Sequence, residues 1–232
     1  RIISRALQHH SSLLSFSHDF NLFGDDGVKA LSLLNHNYHT LQDLQLFGNK
    51  VSATGAIFLS EGLRRNRGLR SLVLSFNRIG DKGASALGES LTVNTTLTKV
   101  WFPSNAVSLE GIVSFAKHLP QMRGLSYLDI GLLLDDEAAK ALESALQFNV
   151  SLNVLKIEKM PPDDSEESSA SQMDFYLRLN RGGRRVFLEH ELLATKALWP
   201  YVLEKANQNS SPCGAPDVLY HLLRITPDLL WS

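Results

Sequence analysis

Apolar residues return along this chain every 28 positions. The stretch from Leu41 to Leu63, LQDLQLFGNKVSATGAIFLSEGL, is written again from Leu69 to Leu91 as LRSLVLSFNRIGDKGASALGESL. Units phase on Leu13, Leu41, Leu69, Leu97 and Leu125, with a partial sixth at Leu152. In the third unit Leu72, Leu74, Asn77, Ile79, Gly83, Ala84, Leu87 and Leu91 fill the slots of Leu44, Leu46, Asn49, Val51, Gly55, Ala56, Leu59 and Leu63. The fourth fills them with Val100, Phe102, Asn105, Val107, Gly111, Ile112, Phe115 and Leu119. Each unit carries two periods. Leu44 and Leu46 are two apart, as a strand with one inward face requires, whereas Ala56, Leu59 and Leu63 are spaced by three and four, as a helix requires. The pattern predicts a strand followed by a helix in every unit.

Polar and glycine positions punctuate that pattern. Asn21, Asn49, Asn77 and Asn105 recur at the corner after the strand, where a buried amide can bond the backbone groups of neighbouring turns. They form a candidate structural ladder. Gly27, Gly55, Gly83 and Gly111 open the helices, and a close approach of strand and helix backbones is the expected reason.

These residues resemble the leucine-rich repeat family, and within it the ribonuclease-inhibitor-like subtype with long units and full helices. The likeness covers residues 1–160. It implies an α/β fold: a curved leucine-rich repeat solenoid with parallel strands on the concave face, helices on the convex face and a C-terminal helical cap. One such unit cannot bury its leucines alone, so stacking makes the core. Shifting the template back one unit puts Ile3 and Leu7 in the helix slots, so the chain reads as beginning inside a repeat.

The pattern decays toward the C-terminus. Leu133 and Met160 stand where the fifth and sixth ladder asparagines belong, and the fifth unit is one residue short. Apolar residues in those slots suggest that the solenoid closes against a different element. Residues 161–172, PPDDSEESSASQ, offer little to bury and read as an acidic flexible loop. Residues 173–232 leave the repeat and read as a mainly helical cap or docking segment. In it, DFYLRLNRGGRRVF is a last edge strand or a helix start, and two helices are expected around ELLATKALWPYVLEKAN and PDVLYHLLRITPDLL. The LWPYVL helix pair is also superficially like the box by which some adaptors dock a ubiquitin ligase.

Charge narrows the partner classes. The formal net charge of -1 gives no global field toward nucleic acid or an anionic membrane. A single cysteine, Cys213, excludes an internal disulfide framework, and no apolar run reaches the roughly 20 residues that span a bilayer. The chain reads as cytoplasmic, with the nucleus as the alternative.

No constellation supports catalysis, a metal or a cofactor. Cys213 lies in SSPCGAP without a companion histidine, and His9-His10 and His36 with His39 lack further ligands. Asp135, Asp136 and Glu137 fall where the fifth helix begins, so helix capping explains them. Arg178, Arg181, Arg184 and Arg185 lack the aromatic platforms of an RNA module and suit a solvated face or the acidic loop. Ser165, Ser168 and Ser169 in that acidic context are candidate phosphorylation sites.

The informative residues are those that the strands turn outward. Phe47, Val73, Phe76, Trp101, Tyr127 and Asp129 fall on the strand face or its rim, Phe20 is a further candidate, and Trp101 lies at the centre. Large apolar side chains on such a face mark binding surfaces, and aromatics dominate interface energies. The expected function is a non-enzymatic scaffold recognising a protein partner, with no small-molecule substrate, nucleic acid or membrane. The alternatives are a regulator similar to Ran GTPase-activating proteins, whose acidic tail is longer and whose activating residue has no identifiable match here, or the sensor part of a larger receptor.

Overall fold

The structure, a computed structural model, describes residues 12–32, 40–159 and 168–182. The chain divides into two units, at Pro161 and Pro162. In the first, strands β1 (Ser15–Ser17), β2 (Asp43–Gln45), β3 (Ser71–Val73), β4 (Lys99–Trp101), β5 (Tyr127–Asp129) and β6 (Val154–Lys156) form one parallel sheet in chain order. They alternate with helices α1 (Gly24–Ser32), α2 (Ala53–Leu63), α3 (Gly80–Val93), α4 (Leu109–Ala116) and α5 (Asp136–Phe148). Register follows the repeat: Leu44 faces Leu72, Leu72 faces Val100 and Val100 faces Leu128. At the short fifth unit the step drops by one residue, and Tyr127 faces Val154.

Leu44, Leu72, Val100 and Leu128 are buried from the strands, Leu46, Leu74, Phe102 and Ile130 from the residues just after them, and Ala56, Leu59, Leu63, Ala84, Leu87, Leu91, Ile112 and Phe115 from the helices. Paired strands sit about 4.8 Å apart, but packed helices need about 8–10 Å. With one strand and one helix per unit, the helical side has to fan out. The strand face therefore becomes the concave side of an open solenoid. Small residues limit the fanning: a Cβ on Gly83 would come within 2.9 Å of the Ala56 Cβ on the neighbouring helix.

The helix starts alternate rather than repeat. Ser52 and Ser108 cap α2 and α4 by accepting from the Thr54 and Gly111 amides, whereas α3 starts at Ile79 with no side-chain cap. Each serine is held by an aspartate of the preceding helix. The Asp25 carboxylate accepts from the Ser52 amide at 2.8 Å and its hydroxyl at 2.5 Å, and Asp81 accepts from both groups of Ser108 at 2.7 Å. G-D-x-G at 24–27 and 80–83 thus alternates with V-S-x-x-G at 51–55 and 107–111. This corrects the expected role of the glycines. A Cβ on Gly55 or Gly111 would collide with the carboxylate of Asp25 or Asp81, so these glycines admit a neighbour's aspartate rather than a strand.

Two asparagine ladders close the corners. Asn77 accepts from the amides of Asn49 and Val51, both at 2.9 Å, and donates to the carbonyls of Leu46 and Leu74 at 2.8 Å and of Ser75 at 3.3 Å. Asn49 accepts from the Phe23 amide and donates to the carbonyls of His18 and Phe47. Asn105 donates to the carbonyls of Leu74, Phe102 and Pro103. Asn21 stands apart: it is exposed and, among the described residues, donates to the Asp19 carbonyl in its own turn alone.

The second ladder, at the helix-to-strand corner, is absent from the sequence reading above. Asn94 donates to the carbonyls of Leu63 and Asn66 while accepting from the amides of Thr96 and Leu97. Asn149 does the same with Leu119, Met122, Ser151 and Leu152. Its signal is an asparagine three residues before the first leucine of a unit, at Asn66, Asn94 and Asn149, with the buried Met122 interrupting it.

The fifth turn differs from expectation. Leu133 is not tucked inward in place of an asparagine but stands 57% exposed. The backbone of that turn is satisfied by the sixth unit instead, as the Leu134 amide donates to the Lys159 carbonyl at 3.0 Å. Asp135 caps α5 by accepting from the Ala138 amide at 2.8 Å, as expected for a carboxylate at a helix start. Met160 lies outside the described residues.

In the second unit, α6 (Ser169–Arg181) starts from Ser168, whose hydroxyl accepts from the Ser171 amide at 3.2 Å. The helix therefore takes in residues 169–172, expected as loop, and DFYLRLNR is helix rather than edge strand. Phe175, Tyr176 and Leu177 are all buried; consecutive helical residues point about 100° apart, so α6 is covered on more than one side. Arg178 and Arg181 both turn to Asp174 within the helix. The two further helices expected beyond it, Cys213, His9, His10, His36, His39, Ser165, Arg184 and Arg185 lie outside the described residues.

Candidate protein-interaction face

Strand alternation sets three rows on the face opposite the leucines. One holds Asp43, Ser71, Lys99 and Tyr127 in register, and the next holds Gln45, Val73, Trp101, Asp129 and Lys156. Phe47, Ser75 and Pro103 continue beyond the strand ends. Val73, Trp101, Tyr127 and Asp129 are therefore neighbours. The Trp101 and Tyr127 rings lie 4.9 Å apart at 39°. Lys99 and Lys156 flank this group and were not singled out from sequence; register alone brings them in, since a lysine on a strand is otherwise unmarked.

Phe47 and Phe76 belong to a second group. Phe20 meets Phe47 edge-on at 4.8 Å, and Phe47 meets Phe76 at 4.8 Å, so the three rings run along the turns at the rim. No ring contact among the described residues joins this line to Trp101. The expected single patch with Trp101 at its centre is two aromatic groups, one on the strands and one on the turns, because the strands are only three residues long and Phe47 and Phe76 fall past their ends.

The rim rings are exposed at a cost. Phe20 and Phe76 have positive φ, 54° and 58°, and are 77% and 57% exposed. The aligned slot in the second unit is Gly48, at φ 65°. The conformation is imposed by stacking, since the amides of Phe20, Gly48 and Phe76 donate to the carbonyls of Phe47, Ser75 and Pro103 in the following unit. A bulky residue in that region costs about 1–2 kcal/mol relative to glycine. Phe76→Gly is therefore expected to be more stable than Phe76→Ala by about 1 kcal/mol, the reverse of their order in a strand or helix. Urea midpoints of the two variants check this; equal midpoints would show that the turn holds no strain.

Asp129 is the perturbed acid of the face. Partial burial pushes its carboxyl above the ordinary carboxylate value, against the lowering effects of Lys156 and of a hydrogen bond from the Gly131 amide. The folded state thus holds this proton more tightly than the unfolded state. Its effect on stability is nil below the ordinary value and turns unfavourable as pH rises through the raised one. Asp129→Asn is expected to raise the melting temperature at pH 7 and leave it unchanged at pH 3. A melting temperature lowered at pH 7 would count against this account.

Among the described residues, no group of three or more His, Cys, Asp or Glu could hold a metal ion, and no helix is long and apolar enough to cross a membrane.

Comparison with known proteins agrees with this geometry. The leucine-rich repeat family model matches residues 39–60 and 65–88. The chain is 32% identical over 143 residues to NACHT, LRR and PYD domains-containing protein 13 of Homo sapiens, covering 60% of this chain and 14% of that protein. It is 33% identical over 97 residues to leucine-rich repeat-containing protein 45 of Gallus gallus, covering 41% of this chain and 14% of that one. The tropomodulin C-terminal domain of Caenorhabditis elegans shares the fold, with a TM-score of 0.52 at 17% identity over 81% of this chain and 94% of that one. The chain carries leucine-rich repeats. It spans about one seventh of the length of the two relatives.

Proposed function

We propose that the chain is a non-enzymatic scaffold, of the ribonuclease-inhibitor-like subtype, that binds a protein partner on its strand face through Trp101, Tyr127, Asp129 and Val73, with Phe47 and Phe76 at the rim. The observation that carries the reading is Phe76: a phenylalanine kept exposed and in a left-handed conformation where glycine serves in the second unit. Stacking imposes the backbone conformation in that slot but not a large exposed ring, and exposed aromatics mark interfaces. The stacked units supply what recognition needs, a rigid surface whose outward residues vary independently of the leucine core.

The test is affinity capture with the intact chain and with a Phe47→Ala, Phe76→Ala, Trp101→Ala variant of unchanged circular dichroism. A partner retained by the first and released by the second supports the reading. Equal capture by both would reject it. A second reading follows from the name of the first relative: the repeats are one module of a multidomain protein with a NACHT domain. It predicts a NACHT-encoding segment in frame upstream of the Arg1 codon, which transcript sequencing reads directly.

A further inference from the structure

We propose that Trp101, Tyr127 and Asp129 form a receptor for one arginine side chain of the protein partner, an inference that rests on the strand-face reading above. Trp101 and Asp129 are register partners on adjacent strands, and Tyr127 precedes Asp129 by two residues on the same face. The two aromatic rings, 4.9 Å apart and mutually tilted, thus stand beside a carboxylate. Each part of a guanidinium has a counterpart there. Its planar face stacks on an aromatic ring, which attracts it through the ring quadrupole, while its N–H edge donates to carboxylate oxygens.

The state of the Asp129 carboxylate, and not the net charge of the neighbourhood, favours a cation. Lys99 and Lys156 also line the face, but both are exposed and keep their water. Asp129 is half-buried, and its carboxylate has lost part of its hydration without gaining an ion pair among the described residues. A charge in that condition gains most from a counter-charge, because the attraction strengthens as water is excluded. Its raised proton affinity has the same origin, since burial is the largest cause.

The probe is acetyl-Gly-Arg-Gly-amide, with the citrulline peptide as its uncharged isostere and acetyl-Gly-Glu-Gly-amide as the opposite charge. Titration is followed on the indole N–H resonance of Trp101, assigned by its disappearance in Trp101→Phe. The arginine peptide should shift that resonance saturably in the millimolar range, about fivefold more tightly than the citrulline peptide. The preference should vanish in Asp129→Asn and persist in Phe47→Ala/Phe76→Ala. A saturable response to the glutamate peptide, equal responses to arginine and citrulline, or no saturable shift would overturn the arginine receptor. The two readings separate in the combined results. Partner capture lost in the triple variant together with an unresponsive Trp101 rejects the arginine receptor and keeps the strand face. An arginine-specific shift with unchanged capture rejects the strand face as the partner's site.

Discussion

Asn77→Ala is expected to destabilise the solenoid by about 3–4 kcal/mol, far more than a polar-to-alanine change on a surface, because two buried amides lose their only designated acceptor. Those amides belong to Asn49 and Val51, both fully buried, and each donates to the Asn77 side chain at 2.9 Å. Alanine removes the oxygen without admitting water, so each N–H carries its desolvation penalty of about 1–3 kcal/mol. The carbonyls of Leu46, Leu74 and Ser75 lose a donor as well. Asn105→Ala should cost less, since its one amide partner, Ile79, sits at 3.4 Å. Asn21→Ala should stay within about 0.5 kcal/mol, because its side chain is exposed and, among the described residues, bonds its own turn alone. Urea denaturation of the three variants checks the order. Because stability in a solenoid is a sum over neighbouring units, hydrogen exchange should localise the Asn77→Ala defect to the boundary of the second and third units. A loss below about 1 kcal/mol for Asn77→Ala would show that the ladder is ornamental.

Phe102→Ala is expected to cost about 3–5 kcal/mol, the range for deleting a buried ring. Phe102 and Phe115 replace the leucines found in the slots of Leu74 and Leu87, and they do so together. Both are fully buried, with ring centroids 5.5 Å apart at 51°. One phenylalanine in a leucine-sized slot would overpack the unit; two facing each other share the added volume and gain an aromatic contact. A cycle of Phe102→Leu, Phe115→Leu and the double variant should therefore return a favourable coupling of about 0.5–1.5 kcal/mol. Additive single changes would mean that the two substitutions arose in separate cavities.

The architecture could be read from spacing because the repeat tests itself. An apolar residue at Leu44 is weak evidence; the same slot filled by Leu72, Val100 and Leu128 is a register. The first asparagine ladder was legible for the same reason at Asn49, Asn77 and Asn105. The second was written at Asn66, Asn94 and Asn149 but broken by Met122, and it sits beside turn residues that do not call for a buried amide. The helix glycines show a different limit. Their 28-residue spacing was plain, yet what occupies the space of a side chain at Gly55 is the carboxylate of Asp25, which an alternation over two units puts there.

The amino-acid sequence by itself determined the strand and helix of each unit and the inward leucines, because these follow from local periodicity repeated over the units; the parallel order of the sheet was what the resemblance to leucine-rich repeats implied. Only the tertiary structure decided how the outward residues group. Phe47 and Phe76 are separated from Trp101 because each strand ends after three residues and the turn carries the next ring away. Asp129 loses part of its water by burial in the stack, which its own sequence context does not show. Residues on one face of a stacked sheet meet through hydrogen-bonded neighbours 28 positions away, and the environment formed there is a property of the stack.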